Sequence, residues 1–364
     1  MQTISECWGL SRRPRPDGMP SIVHLVPYDG IGGVEVAARS LENAAYPGFE
    51  FTKYYLVNKS GASLPDGGTG QFRSENNPLA YLEAIKHVLT RRPAVLIASL
   101  WRSCVVAIVI KLLRPKTRVV TFLHLASDVH WPDKVLNRMA MQISTEIWAD
   151  SKTTLEARVP KALQARARVI SFLVERQPEP AYVLPNPRFL FWGRLHPQKG
   201  LVRALRLFAG VRAVLPGATF HLIGPDGGAR VELETEVKRL DLDGAVFFLG
   251  PMARPDIFDF ARSCSFCLQT SVDEGMAMSV IEAMQLGLVP IVTPVGEIGR
   301  YCHDSQNAIV VTDDGDAVQR VIALMGDGAR YQRMSRAAFA TWQAQPLYRN
   351  DVVAACTRLV NQPT

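Results

Sequence analysis

Two glutamates eight residues apart, Glu274 and Glu282, stand in the segment DEGMAMSVIEAM. Ala277, Val280, Ile281 and Met284 fall at i, i+3, i+4 and i+7, the spacing of a helix that buries one stripe. Glu274 then sits in the loop before that helix, and Glu282 on the flank of the stripe. Unpaired buried carboxylates are expensive, and the hydroxyl groups of a sugar would satisfy both. The plain alternative is a charge at a helix start for Glu274 and a partly exposed Glu282.

Two cations flank a short loop in FWGRLHPQKG, where Arg194 follows the end of a strand and Lys199 precedes a helix. Cations beside a helix N-terminus suit a dianion such as a diphosphate, and two of them could stand in for a metal. Two solvated surface charges are the alternative. In Asp29-Gly30-Ile31-Gly32-Gly33-Val34-Glu35 the glycines would let backbone approach a ligand closely at a helix start. Glu35 occupies the third glycine slot of GxGxxG and no GK[ST] follows, so a plain strand-helix turn fits as well. His124 closes RVVTFLH and points toward a cleft if that run is a strand; a satisfied structural histidine is the rival reading.

Other segments read as structure. Cys264-Ser-Phe-Cys267 is a lone CxxC with no second pair to complete a zinc site. Asp314-Gly-Asp316 is the capped start of a helix beginning near Asp313. Asp241-Leu-Asp243 is a turn, and no GxSxG nucleophile elbow occurs. We expect no metal.

These residues need a frame. A single core stops growing near roughly 250–300 residues, so a chain of 364 residues divides into two domains. Short apolar runs alternate with helical-period segments: strand Ser21–Val26, helix Gly32–Ala45, strand Ala94–Ser99, helix Arg102–Leu113, strand Arg118–Leu123, and Val169–Leu173 closing the half. QPEPAYVLPNP, with Pro178, Pro180, Pro185 and Pro187, is a linker, because proline cannot donate to a sheet ladder. The alternation restarts with strand Phe189–Trp192, helix Lys199–Val214, strand Ala218–Ile223, helix Val231–Leu240, and strands Ala245–Leu249, Ser265–Gln269, Val289–Thr293 and Ala308–Val311. Such alternation predicts parallel sheets covered by helices on both faces, with ligands at the strand C-terminal ends. The expected domains are residues 1–178, a linker over 179–187, and residues 188–345. The helical segment 346–364 would return to the first domain.

The net charge is +7, and residues 1–180 carry all of the excess, with 23 basic against 16 acidic residues. Arg91, Arg92, Lys111, Arg114, Lys116 and Arg118 are its densest cluster. That half suits an anionic partner, whether a lipid surface or a phosphorylated substrate, or simply carries solubilising charge. Zinc-finger spacing and RNP aromatics are missing, so nucleic acid is not expected. The longest strong apolar run, Cys104–Ile110, is far short of a membrane span. No apolar run follows Arg12, Arg13 and Arg15, so no signal peptide is expected. Six cysteines without one fit a reducing, cytoplasmic setting.

Together the motifs resemble a family 4 retaining glycosyltransferase of the GT-B fold, two Rossmann-like β/α/β domains facing each other across a cleft. E-x7-E is met by Glu274 and Glu282, within DEGMAMSVIEAMQLGLVPIVTPVGEI. FWGRLHPQKG matches the family's G-R…K-G, GIGGVE its glycine loop, and TFLH its cleft histidine; HLIGPDGG is a looser match. The resemblance implies that Arg194 and Lys199 hold the donor diphosphate and stabilise its departure. Glu274 would contact the transferred sugar and Glu282 the ribose hydroxyls. Gly275, Met276 and Ala277 would offer backbone amides. Gly32 and Gly33 would close over the diphosphate, and His124 would line the reacting centre.

The function so implied is metal-independent transfer of a hexose from a nucleoside-diphosphate sugar to a glycan or lipid-linked acceptor in envelope or extracellular polysaccharide synthesis. It would occur in the cytoplasm or on the inner face of the cytoplasmic membrane. Two rivals stay open. One is a glycoside hydrolase using Glu274 and Glu282 as acid and base, which leaves the cation pair unexplained. The other is a non-catalytic two-lobed protein that binds sugar nucleotides.

Overall fold

The computed structural model describes residues 19–362 apart from 30–32, 42–45, 47, 59–73, 75, 129 and 182–183. Six strands from the first half form one sheet: β1 (Ser21–Tyr28), β2 (Glu50–Val57), β3 (Val95–Ser99), β4 (Arg118–Leu123), β5 (Glu146–Ala149) and β6 (Ala167–Val169). Six more form a second: β7 (Arg188–Trp192), β8 (Thr219–Ile223), β9 (Val246–Gly250), β10 (Phe266–Gln269), β11 (Val289–Val292) and β12 (Ile309–Val310). The orders are β2-β1-β3-β4-β5-β6 and β12-β11-β10-β7-β8-β9, and every pairing is parallel. This is the two-domain α/β architecture that the alternation predicts.

Burial explains the composition of the strands. β3 and β10 are buried at every position, so both faces of the sheets are covered and the strands are apolar throughout. The second core centres on Phe189, Phe208, Phe220 and Phe266, with Phe189 stacked on Phe266 at 5.0 Å between ring centroids. The helix Met278–Gln285 buries Val280, Ile281 and Met284, the stripe read from the spacing.

Two strands escape the periodicity reading. β2 carries Thr52 and Lys53, both buried, which break its apolar run, and β5 has four residues with Glu146 at its start. The helix after β1 spans Gly33–Arg39, while 42–45 lie outside the described residues. The helix expected from Lys199 begins at Leu201, because Gly200 takes a left-handed φ of 62° just before it. A Cβ at Gly200 would stand 1.9 Å from the Thr270 carbonyl oxygen, so no other residue fits there.

The described linker residues form no helix or strand. The helix Tyr348–Asn361 packs on the first sheet, with Tyr348, Val352, Cys356 and Leu359 joining Val95, Ile97, Phe122 and Trp148 in one core. Arg358 adds an ion pair to Glu146 at 3.0 Å.

The basic cluster lies at the N-terminal ends of β3 and β4, the end of the first sheet away from the cleft. Arg91 pairs with Glu50, and Lys111 donates to the carbonyls of Pro115 and Thr117. Arg92 and Lys116 are exposed, as are Leu112 and Leu113. Among the described residues no helix is long and apolar enough to cross a membrane.

Candidate nucleotide-sugar site

β7 ends at Trp192, and Gly193 carries the chain to Arg194, which is exposed and forms no ion pair among the described residues. Lys199 does not share that freedom. Its Nζ lies 2.6 Å from Glu274 Oε1, in a pair that is mostly buried on both sides. The same oxygen accepts from Gln269 Nε2 at 2.9 Å and Ser271 Oγ at 2.7 Å. Glu274 therefore stands in a socket built by the end of β10 and the loop after β7.

Glu282 is also satisfied from within. Its Oε2 accepts from Trp192 Nε1 at 2.9 Å and its Oε1 from Arg254 Nε at 2.9 Å; Arg254 also reaches Glu175 at 2.7 Å. The premise that buried, unpaired carboxylates here need a sugar to satisfy them does not hold: protein donors reach both. What remains to a ligand is their second lone pairs.

The segment between the two glutamates is shaped for close approach. Ala277, the residue before the helix, has a left-handed φ of 51° and caps nothing with its side chain. Strained backbone of this kind collects at ligand sites. Among the described residues the amides of Gly275, Met276 and Ala277 donate to no protein acceptor. Three free N–H groups at a helix start form a cradle for an anion or a sugar oxygen.

The first domain closes over this segment. A Cβ on Gly275 would stand 2.6 Å from the His124 carbonyl oxygen and 2.9 Å from Asp150 Oδ2, so the glycine permits the contact. A Cβ on Gly33 would stand 3.0 Å from Met278 Cγ. Thr153 N donates to Glu297 Oε2 at 2.8 Å, and Ser127 Oγ bonds Asp273. His124 is buried, its ring packed against Phe122 and Phe172, with Nε2 2.9 Å from Ser99 Oγ. Burial pulls its pKa down to about 3, so the imidazole is neutral at pH 7.

The structure thus brings His124, Gly33, Lys199, Glu274, Gly275, Met276 and Ala277 to one place. Arg194 and Glu282 border it through β7, and Gly32 lies outside the described residues. Sequence reasoning missed Gln269, Ser271 and Arg254, which hold the carboxylates, and Asp150 beyond β5. The polar run Gln269-Thr270-Ser271 at the end of an apolar strand was the available signal. Asp150 is fully buried and its Oδ1 has no partner among the described residues. Burial pushes its pKa up to about 7, and Glu297 adds to the rise.

The segments set aside from the sequence are structural. Asp313 caps the helix Asp314–Gly326 by accepting from Asp316 N at 2.8 Å. Cys264 and Cys267 are buried, and burial pushes the Cys267 thiol up to about 12. Among the described residues no group of three or more His, Cys, Asp or Glu is placed to hold a metal ion.

Comparison with known proteins finds likenesses in sequence and in fold. Residues 177–341 match the family model of glycosyl transferases group 1. A trehalose synthase of Pyrococcus horikoshii is 29% identical over 140 residues, 36% of this chain and 34% of that protein. A D-inositol 3-phosphate glycosyltransferase of Kribbella flavida is 25% identical over 158 residues, 41% of this chain and 37% of that protein. The chain thus spans little more than a third of the curated relatives it matches. In fold, it superposes on Anabaena Alr3699/HepE in complex with UDP and glucose, with a TM-score of 0.76 at 16% identity, covering 93% of this chain and 100% of that one. The lipopolysaccharide outer core galactosyltransferase WaaB gives 0.67 at 17% identity, covering 93% and 99%. The chain is a two-domain α/β protein of GT-B architecture, and its residues 177–341 match the family model of glycosyl transferases group 1.

Proposed function

We propose that this protein is a retaining glycosyltransferase that moves a hexose from a nucleoside-diphosphate sugar to a glycan or lipid-linked acceptor. The reading rests on one arrangement: Lys199 locked to Glu274, beside three unused amides at a helix start, beneath His124 and Gly33 of the other domain. That set offers a cation and N–H donors for a departing diphosphate, and a carboxylate for sugar hydroxyls, in one place. Family 4 membership and retention extend the same reading. Domain limits at 178, 188 and 345 belong to it as well.

Lys199 has three N–H donors and spends one on Glu274. The others reach the diphosphate, which the unpaired Arg194 grips from the strand end. Glu274 accepts from the hexose hydroxyls, and Glu282, held still by Trp192 and Arg254, accepts from the ribose. Gly32 and Gly33 close over the diphosphate from the first domain. As the anomeric C–O bond to the diphosphate breaks, the acceptor oxygen bonds to the same face of the sugar. Its proton passes to the leaving phosphate oxygen. The fixed cations stabilise the charge that develops, with no metal required.

The product belongs to envelope or extracellular polysaccharide, made at the inner face of the cytoplasmic membrane. Arg92, Lys116 and the exposed Leu112 and Leu113 would meet anionic lipid, leaving the cleft facing water. Thermal shifts against GDP-, UDP- and ADP-sugars test the donor class, and a product with inverted anomeric configuration rejects retention. Full turnover in EDTA is expected; strict dependence on added Mg²⁺ rejects the metal-free route. Flotation with liposomes that ignores both anionic lipid and salt rejects the lipid surface.

A further inference from the structure

His124 does not stand alone behind the cleft. Its Nε2 lies 2.9 Å from Ser99 Oγ, and the same hydroxyl lies 2.8 Å from His24 Nε2. The three residues come from adjacent strands, β1, β3 and the end of β4, and all are buried. Ser99 is the N-cap residue of the helix Leu100–Leu113, where a serine ordinarily accepts from a helix amide. Here its side chain makes no cap bond, and Leu100 takes a left-handed φ of 64°. The serine has left its usual partner and turned to the two imidazoles.

Proton counting gives this chain a direction. Burial pulls both histidines down to about 3, so each carries one proton at pH 7. Ser99 has one hydroxyl proton and no other partner among the described residues. It therefore donates to one imidazole and accepts from the other. The two Nδ1 atoms are the free ends of the chain, and neither has a partner among the described residues. One end must be a bare lone pair and the other an N–H. Lys53 is the cross-strand partner of His24 on β2, the opposite side of β1 from Ser99 on β3, and its cation adds to burial in disfavouring a charged His24. A cation there favours the lone pair at the His24 end and the N–H at the His124 end.

We propose that Ser99 and His24 are positioning residues that fix His124 as an Nδ1–H donor, presented to an oxygen of the sugar nucleotide. The proposal rests on the reading that His124 lines the reacting centre. Its neutral N–H supplies a hydrogen bond to an oxygen that gains negative charge, and the rings of Phe122 and Phe172 hold its orientation. Ser99→Ala frees the imidazole to take either tautomer, so turnover falls while donor binding persists.

Long-range ¹H–¹⁵N NMR of the full chain labelled at histidine reads the tautomer directly, with His124→Gln assigning the signal. The expected wild-type state is Nδ1–H. Ser99→Ala and His24→Phe should each shift it toward the other tautomer and lower kcat on the order of tenfold to hundredfold, with donor KM changed less than about twofold. Ser99→Thr keeps the hydroxyl and should restore both. A bare Nδ1 on His124 in the wild type overturns the proposal. So does an unchanged tautomer in both folded variants. Should no donor be turned over at all, the transferase reading fails, while the tautomer measurement still decides the relay.

Discussion

Lys199 Nζ, on the loop after β7, and Glu274 Oε1, on the loop after the neighbouring strand β10, stand 2.6 Å apart. The lysine is thereby placed by the carboxylate before any substrate arrives. Preorganised charge of this kind stabilises a leaving group without reorganisation at the moment of reaction.

Lys199→Ala should lower kcat by roughly 10²–10³. It also strands Glu274 with Gln269 and Ser271 as its remaining donors, which destabilises the fold by on the order of 2–3 kcal/mol. Steady-state kinetics well below the melting temperature separate the two effects. A kcat within twofold of wild type rejects the role.

Arg254→Met should leave Glu282 with Trp192 as its one strong donor among the described residues. We expect the donor KM to rise by about tenfold, one hydrogen bond to a charged group, with kcat changed little. Titration of nucleoside diphosphate by calorimetry checks the same loss. An unaltered affinity would mean that Glu282 does not meet the nucleotide.

Gly275→Ala puts a Cβ against the His124 carbonyl oxygen and Asp150 Oδ2, so the two domains must part at that point. Turnover should fall by at least about tenfold, while the second domain still binds nucleotide. Small-angle scattering should report a larger radius of gyration than wild type; an identical profile with full activity would contradict the contact.

Asp150 has a native pKa of about 7 against an ordinary 3.8, because burial opposes its charge. Its raised pKa sets the sign: stability from this group is full below pH 3.8 and is lost as pH rises toward 7. Asp150→Asn removes the titration. It should stabilise the protein at pH 8, by up to about 4 kcal/mol, and the gain should vanish near pH 4. Denaturant melts at the two pH values check this, and a gain that grows at low pH would refute the assignment.

Much of the frame was legible because apolar periodicity and proline placement are local properties. β4, the helix stripe of Val280, Ile281 and Met284, and the cap at Asp313 follow from neighbours in the chain. β2 and β5 were not legible, since a buried lysine and a buried glutamate break their apolar runs, and Glu146 finds its partners Arg168 and Arg358 far away in sequence. Arg254 and Gln269 were invisible as site residues for the same reason: a donor's partner is set by packing, and no spacing announces it.

By itself the sequence determined that Glu274, Arg194, Lys199 and the glycines stand at the ends of strands and the starts of helices, and Glu282 within a helix, because dihedral preference and burial act within a few residues. Tertiary structure decided who pairs with whom. It turned two seemingly unsatisfied carboxylates into bonded ones, brought Gly275 under His124, and strung His24, Ser99 and His124 into one chain. Hydrogen bonds and desolvation depend on distances of a few ångströms between residues as many as 151 positions apart in the case of His124 and Gly275, and those distances exist only once both sheets have folded and met.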